Sequence, residues 1–174
     1  MNCLTCVLSV AVALMSAGLL RAEDKPASGD KMVGMGRFVG EWEVDAKWAD
    51  GNRLQGRTVY AWSLGKKILT TKSFVGKGDK EYQRYEGVMA WHPAKKSLFH
   101  ISFAYDGAVS ETIVENKDND TIQIGFKSFD PAKPSRVRQT IKFLGKDKFR
   151  WTVELKDGEG WKQLIDATWK RKAK

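Results

Sequence analysis

The stretch FVGEWEVDAKW, residues 38–48, decides the fold because its side chains alternate strictly between two classes. One parity holds Phe38, Trp42, Val44 and Trp48, whereas four of the five residues on the other parity are charged. Successive side chains of a strand point to opposite sides of the sheet. The stretch therefore predicts a strand with one face in an apolar interior and one face in water.

Turn signals repeat after this strand at intervals of about a dozen residues, and they predict a chain of hairpins. Loops this short join only antiparallel neighbours, because a parallel return needs a longer crossover. Nine such signals separate ten candidate strands, at residues 50–52, 64–65, 76–79, 93–95, 106–107, 117–120, 130–135, 145–147 and 157–158.

Ten meandering strands expose two long edges unless the sheet closes on itself. We therefore predict an all-β protein, an antiparallel up-and-down meander closed into a barrel, and we expect residues 31–172 to form one domain. A two-sheet sandwich is the alternative, but sandwiches with Greek-key topology usually need long crossing connections. A short helix is expected over residues 31–37, with Asp30 as its N-cap.

The first 22 residues differ from the rest in composition. Residues 7–20 are apolar and too short for a comfortable membrane span, and the chain turns polar after Ala22. We expect a signal peptide over residues 1–22, a flexible lead-in over 23–30 and therefore an exported protein; an uncleaved anchor is the alternative. Both cysteines, Cys3 and Cys6, lie in the predicted signal peptide, so no disulfide framework is expected in the mature chain.

The chain carries a formal net charge of +9. Its basic residues are scattered, and the only cluster is at the end of the chain, at Lys170, Arg171, Lys172 and Lys174. Scattered charge favours a solvated surface over a nucleic-acid interface, and an exported protein rarely meets nucleic acid. Contact with an anionic surface stays an alternative.

Two strands in the middle of the chain lack the clean alternation of the others. Over residues 97–105, one parity is Phe99, Ile101, Phe103 and Tyr105, while the other mixes apolar and polar residues around His100. Residues 80–91 are mixed in the same way. Three interpretations remain open: these strands bury both faces, their register is misjudged, or the interior is partly polar, as a ligand cavity would be.

The motif Gly40-Glu41-Trp42, on the first strand after a short helix, resembles the G-x-W of the lipocalin and calycin superfamily. The resemblance implies a barrel in which Trp42 closes one end against a basic residue after the last strand, here Arg171. A longer pattern resembles uncharacterised exported bacterial lipocalin-like domains, and it comprises residues 38–42, 50–51, 64–69, 85–87 and 91–93. That resemblance implies no catalytic residues.

Nitrobindin-like haem barrels are related by the same motif, but two departures count against haem. Glu43-Val44-Asp45 follows the motif where those proteins have further glycines, and residues 101–174 contain no histidine. We therefore expect no cofactor. The chain's two histidines, His92 and His100, come with no carboxylate cluster nearby in sequence, so no metal site is expected either.

No nucleophile or phosphate-binding motif is present in the sequence, so an enzyme is the least favoured hypothesis. The favoured hypothesis is a non-enzymatic barrel that binds a small, mostly apolar or amphipathic molecule in its interior. Its alternative is an interaction module with a solid core that acts through its basic outer surface. The candidate ligand-binding residues are aromatic or lie on the two mixed strands. On those strands we expect Arg84, Glu86 and His100 to meet inside the barrel. The full set of candidates is Trp62, Arg84, Glu86, Trp91, His100 and Trp151.

Overall fold

The alternating segments form ten strands in the computed structural model, which describes residues 29–127 and 136–173. The predicted signal peptide and most of the predicted lead-in lie outside the described residues. The strands are β1 (Gly40–Lys47), β2 (Arg53–Ser63), β3 (Ile68–Val75), β4 (Tyr82–His92), β5 (Ser97–Ala104), β6 (Val109–Asn116), β7 (Thr121–Lys127), β8 (Arg136–Phe143), β9 (Lys148–Asp157) and β10 (Gly160–Arg171).

The ten strands form one closed antiparallel barrel. Each strand pairs with the next in sequence, and β1 pairs with β10 through Trp42 opposite Arg171 and Glu43 opposite Lys170. Closure removes the unpaired edges of the sheet, which explains why a meander of this length does not remain open. The predicted barrel is confirmed, and the two-sheet alternative is wrong. In the described part of the chain, no helix has the length and hydrophobicity that crossing a membrane requires.

A short helical segment covers one end of the barrel, which we call the plugged end. It begins as α1 (Gly29–Met32) and continues as a 3-10 helix (Val33–Phe38), two residues earlier than predicted. Met32, Met35 and Phe38 are at most 1% exposed. Because a 3-10 helix has three residues per turn, residues three apart share one face, and this face packs onto the barrel. The opposite end, formed by the ends of β1, β3, β5 and β9, is called the open end.

Trp42 and Arg171 fasten the helical segment to the barrel wall. The indole Nε1 of Trp42 donates a hydrogen bond to the carbonyl oxygen of Phe38, at 2.6 Å. The Arg171 guanidinium lies 4.1 Å from the centroid of the Trp42 ring and donates to the carbonyl oxygens of Val39 and Arg37. The structure therefore places these two residues in the arrangement that the resemblance implies.

The position of the Arg171 guanidinium over Trp42 requires glycine at residue 40. Its φ is +126°, a conformation that favours glycine, and a Cβ built there would lie 2.6 Å from the Arg171 guanidinium. The glycine of the G-x-W motif thus leaves room for the arginine that covers the tryptophan.

Aromatic rings fill the interior next to the plugged end. Phe149 lies 4.6 Å from Trp42 and stacks on Trp169 at 5.9 Å, measured between ring centroids. Phe38 contacts Phe143 at 5.0 Å. This half of the interior is a packed core, so any ligand space must lie nearer the open end.

Candidate functional site

The strand registers show which side chains face the barrel interior. Residues directly opposite each other on antiparallel strands point to the same side of the sheet. Trp42 is fully buried and lies opposite Thr58, so Thr58 faces inward, and the same step can be repeated around the barrel. On β5 it assigns His100 and Ser102 to the interior, through Met89 and Gly87 of β4.

The interior is divided into two unlike walls. Strands β2–β6 contribute mainly small or polar inward-facing residues, which we call the polar wall: Thr58, Thr71, Ser73, His100, Ser102, Ser110 and Thr112. Strands β7–β10 and β1 face them mainly with hydrocarbon, and Gln139 is a polar exception. Five of these inward-facing residues, which we call the apolar wall, are Val44, Ile124, Val137, Val153 and Ile165.

Several inward-facing residues remain accessible to solvent. Tyr85 shares the inward parity of Gly87 and Met89, yet it is 43% exposed. Ser73 and Ser102 are also partly exposed although they point into the barrel. An eight-stranded barrel is just filled by its side chains, and the interior widens with strand number. The exposure of Tyr85, Ser73 and Ser102 shows that solvent reaches the inner face of β3–β5 near the open end.

His100 is the most unusual group on the polar wall. Neither ring nitrogen is accessible to solvent, and neither finds a hydrogen-bond partner among the described residues, although the residue as a whole is partly exposed. Burial lowers the pKa of the imidazole from 6.5 to about 4, so the ring is neutral at physiological pH. A neutral imidazole offers one donor and one acceptor, and here both are unused.

The imidazole lies directly over a glycine of the neighbouring strand. A Cβ built on Gly87 would lie 2.9 Å from Nε2 of His100 and 3.1 Å from Oγ1 of Thr71. Two polar atoms from β3 and β5 thus converge on the backbone of β4 where a side chain is missing. The missing side chain of Gly87 thus leaves room for the imidazole of His100, whose Nε2 and the Thr71 hydroxyl border the same position on the inner face.

Hydroxyl groups on both sides of His100 are linked across the strands. Thr58 and Ser73 share a hydrogen bond of 2.9 Å, and Ser110 donates to Ser102 at 3.3 Å. The Thr112 hydroxyl donates to the carbonyl oxygen of His100 at 3.4 Å. These hydrogen bonds fix the positions of the hydroxyl groups on both sides of His100.

The six predicted ligand-binding residues do not lie together in the structure. The indole rings of Trp62, Trp91 and Trp151 are partly buried and pack against the core. Trp151 also packs against the cluster of Val44, Val153 and Ile165, and its ring lies 6.1 Å from that of Trp48. Trp151 Nε1 donates to Oε1 of Gln139 at 2.8 Å, so this indole is already paired inside the barrel. Of the six predicted ligand-binding residues, His100 alone lies on the polar wall.

The prediction that Arg84, Glu86 and His100 meet inside is wrong. Glu86 lies opposite Phe103 on the outer face, where its carboxylate accepts from Gln83 at 2.8 Å and lies 3.8 Å from Lys72. Arg84 occupies an irregularity in β4, and its guanidinium lies 3.9 Å from Asp106 near the open end.

An extra residue in β4 explains this error. Ser73 pairs with Tyr85, but Phe74 pairs with Gln83, so Arg84 has no direct partner on β3. A bulge of this kind changes which residues share a face, and a strict period of two therefore fails along β4.

The sequence analysis also missed most of the polar wall. Serine and threonine on β2, β3 and β6 form no recognisable motif in the sequence. The available signal was the inward parity of β5, Leu98, His100, Ser102 and Ala104, which is less bulky than the outward parity of the same strand.

Two open grooves of about 510 Å³ each are found on the protein, and neither is lined by His100. One lies on the outer face beside Arg138 and Trp161, and the other lies at the plugged end between Lys31 and Trp91. No group of three His, Cys, Asp or Glu residues suited to a metal ion occurs in residues 29–127 and 136–173.

Comparison with known proteins supports the fold alone. No family model matches this chain, and no curated protein matches it. The S-type phycobiliprotein lyase CPES from Guillardia theta is 12% identical, with a TM-score of 0.52, over 86% of this chain and 95% of the lyase. A redesigned β-barrel is 15% identical, with a TM-score of 0.42, over 80% of this chain and 96% of that barrel.

A second redesigned β-barrel, with bound DFHBI, is 13% identical, with a TM-score of 0.41, over 79% of this chain and 98% of that barrel. The similarity to the lyase has a TM-score above 0.5 and extends across most of both molecules, so this chain shares the overall fold of the lyase. At such low identity these similarities transfer no binding or catalytic property.

Proposed function

We propose that this protein is an exported, non-enzymatic lipocalin-like barrel that holds one small, mostly apolar molecule in its interior. The observation that carries the proposal is His100, whose two ring nitrogens are buried and unpaired among the described residues. A buried polar group without a partner is costly, and a bound ligand group would remove that cost.

The two walls give the ligand its expected character. Burial against Val44, Val153 and Ile165 would supply most of the affinity, because apolar contact area is the main favourable contribution in such sites. A few polar side chains on the opposite wall would fix its orientation. Access from the open end is supported by the exposure of Tyr85 and Ser102 on the inner face.

A binding function is favoured over catalysis by the surroundings of His100. Within the described residues, no carboxylate orients its imidazole, and its pKa of about 4 makes it a poor base. Export rests on the sequence of residues 1–22, and amino-terminal sequencing of the protein recovered from the cell exterior or periplasm would test it. Cleavage after Ala22 is the expected result.

Filling the interior tests the binding proposal directly. The change Ser102→Phe places a large ring on the polar wall, and the matched change Thr152→Phe places the same ring on the outer face of β9. We expect the wild type and Thr152→Phe to enhance the fluorescence of the uncharged apolar probe Nile red and to co-purify with a small molecule in native mass spectrometry. We expect Ser102→Phe to lose both signals. Equal signals from all three proteins would contradict interior binding.

A second candidate function is an interaction module that acts through its outer surface. The supporting observation is an exposed apolar strip on the outer face of β5 and β6, where Phe103 is 50%, Ile113 is 45% and Val109 is 43% exposed. Patches of this kind often mark interaction sites. If this candidate is correct, no probe enters the barrel, Ser102→Phe has no effect on partner binding, and Phe103→Ser weakens it. Contact with an anionic surface belongs to the same candidate and predicts binding that weakens with salt.

A further inference from the structure

We propose that the interior ligand is uncharged and carries a hydroxyl or carbonyl group that hydrogen-bonds to His100. This inference rests on the proposed interior binding function and specifies the chemistry of its ligand. It is carried by two features: the absence of charge on the polar wall, and the unused donor and acceptor of His100 beside the Thr71 hydroxyl.

The inward-facing positions of β2–β6 that pair regularly with a neighbouring strand carry no ionised side chain. Between Leu54 and Asn116 they are occupied by Leu, Val, Ala, Gly, Met, Ser, Thr, Asn, Tyr, Trp or His. The charge nearest to them is that of Arg84 at the irregularity in β4, where the guanidinium lies at the open end, 5.6 Å from the Tyr85 ring and 3.9 Å from Asp106. A carboxylate or ammonium group that enters this interior loses its hydration without gaining a counter-charge. A neutral group avoids that loss.

His100 suits a neutral partner because its ring offers both hydrogen-bonding roles. A ligand hydroxyl both donates and accepts, and a ligand carbonyl accepts from the ring N–H. Nε2 and the Thr71 hydroxyl lie 2.9 Å and 3.1 Å from one point in front of Gly87, so the two polar atoms are neighbours on the inner face of the barrel. The polar group of the ligand is therefore expected beside β3–β5, with the apolar part against the apolar wall.

The test compares three probes with one decyl chain and different head groups: 1-decanol, decanoate and decylammonium. Binding is measured at pH 7 from the quenching of tryptophan fluorescence, on wild type, His100→Met and His100→Gln. His100→Met keeps a similar volume but removes both nitrogens, whereas His100→Gln keeps one donor and one acceptor. Thermal melts of the three proteins establish that each is folded.

We expect the wild type to bind decanol about tenfold more tightly than either ion. We expect His100→Met to weaken decanol binding about tenfold, which corresponds to one hydrogen bond, and to leave the ions unchanged. His100→Gln should retain decanol binding within about threefold. An ion that binds as tightly as decanol, or unchanged decanol binding by His100→Met, would overturn this inference and leave interior binding in place. If the wild type binds none of the probes while Ser102→Phe behaves like the wild type, the proposed function fails as well.

Discussion

The guanidinium of Arg171 lies 4.1 Å from the centroid of the Trp42 ring, although the two residues belong to the last and the first strand. They are also direct partners in the short ladder that closes the barrel. The same guanidinium donates to the carbonyl oxygens of Val39, Arg37 and Lys146, and to the carboxylate of Asp147 at 3.0 Å. One side chain thus joins the helical segment, β10 and the β8–β9 turn at the plugged end.

Replacement of Arg171 should weaken the whole domain. Arg171→Met removes these hydrogen bonds and leaves buried or half-buried carbonyl oxygens without a donor. We expect a loss of about 2–4 kcal/mol in the free energy of unfolding, measured in urea, because hydrogen bonds to a charged donor contribute more than neutral ones. Arg171→Lys should recover less than half of this loss, since an ammonium group cannot reach several carbonyl groups in fixed directions. Full recovery by lysine would show that charge alone is sufficient.

Truncation of Trp42 should be among the most damaging single changes in the chain. The side chain is fully buried, contacts Phe149 and donates to the Phe38 carbonyl oxygen. Trp42→Ala should cost about 3–5 kcal/mol, the range for truncation of a buried aromatic residue. Trp161 provides the control, because it is 37% exposed on the outer face, and Trp161→Ala should cost about 1 kcal/mol or less. A loss under about 1 kcal/mol for Trp42→Ala in denaturant melts would contradict its place in the core.

Gln139 is a polar residue on the otherwise apolar side of the interior, and we expect it to stabilise the fold by accepting a hydrogen bond from Trp151. Its side-chain oxygen accepts from the Trp151 indole at 2.8 Å. Gln139→Leu should therefore lower the free energy of unfolding by about 1–3 kcal/mol, the cost of an unsatisfied buried donor. Gln139→Glu keeps an acceptor oxygen but introduces a charge, so it should recover stability only below the pKa of the new carboxyl group. Equal stability of Gln139→Leu and wild type would show that the indole finds another acceptor.

The architecture was predictable because it depends on period and turn spacing. Alternation along β1 and along the late strands β8–β10 is regular, and eight of the nine turn signals lie at connections between described strands, while the signal at residues 130–135 lies outside the described residues. Closure followed from the physical cost of exposed edges. Period and turn spacing did not predict the type of helix before β1. Most of this segment is a 3-10 helix, and the buried residues Met32, Met35 and Phe38 lie three positions apart on one face.

The inner surface was less predictable, since it depends on register. The outward parity of β5 is the bulkier one, with Phe99, Ile101 and Phe103, so hydrophobicity alone favours the wrong face as the interior. The irregularity at Arg84 also changes which residues of β4 face inward, and no sequence pattern predicts it. Only the pairing with Trp42, followed strand by strand, identifies Ser102 and His100 as inward-facing.

The pH dependence of stability should reveal the desolvated imidazole of His100. Burial lowers its pKa from 6.5 to about 4, so between these values the unfolded chain binds a proton that the folded chain does not. Stability should therefore be complete above about pH 6.5 and fall towards pH 4, by about 3 kcal/mol in total. The residues that face the ring from β4 and β6, Met89 and Thr112, do not titrate, so the effect belongs to the histidine.

The difference in unfolding free energy between wild type and His100→Met should grow over this interval, whereas His92→Gln, which removes the chain's only other histidine, should follow the wild type. A constant difference from pH 7 to pH 4 would show that the imidazole is hydrated inside the barrel.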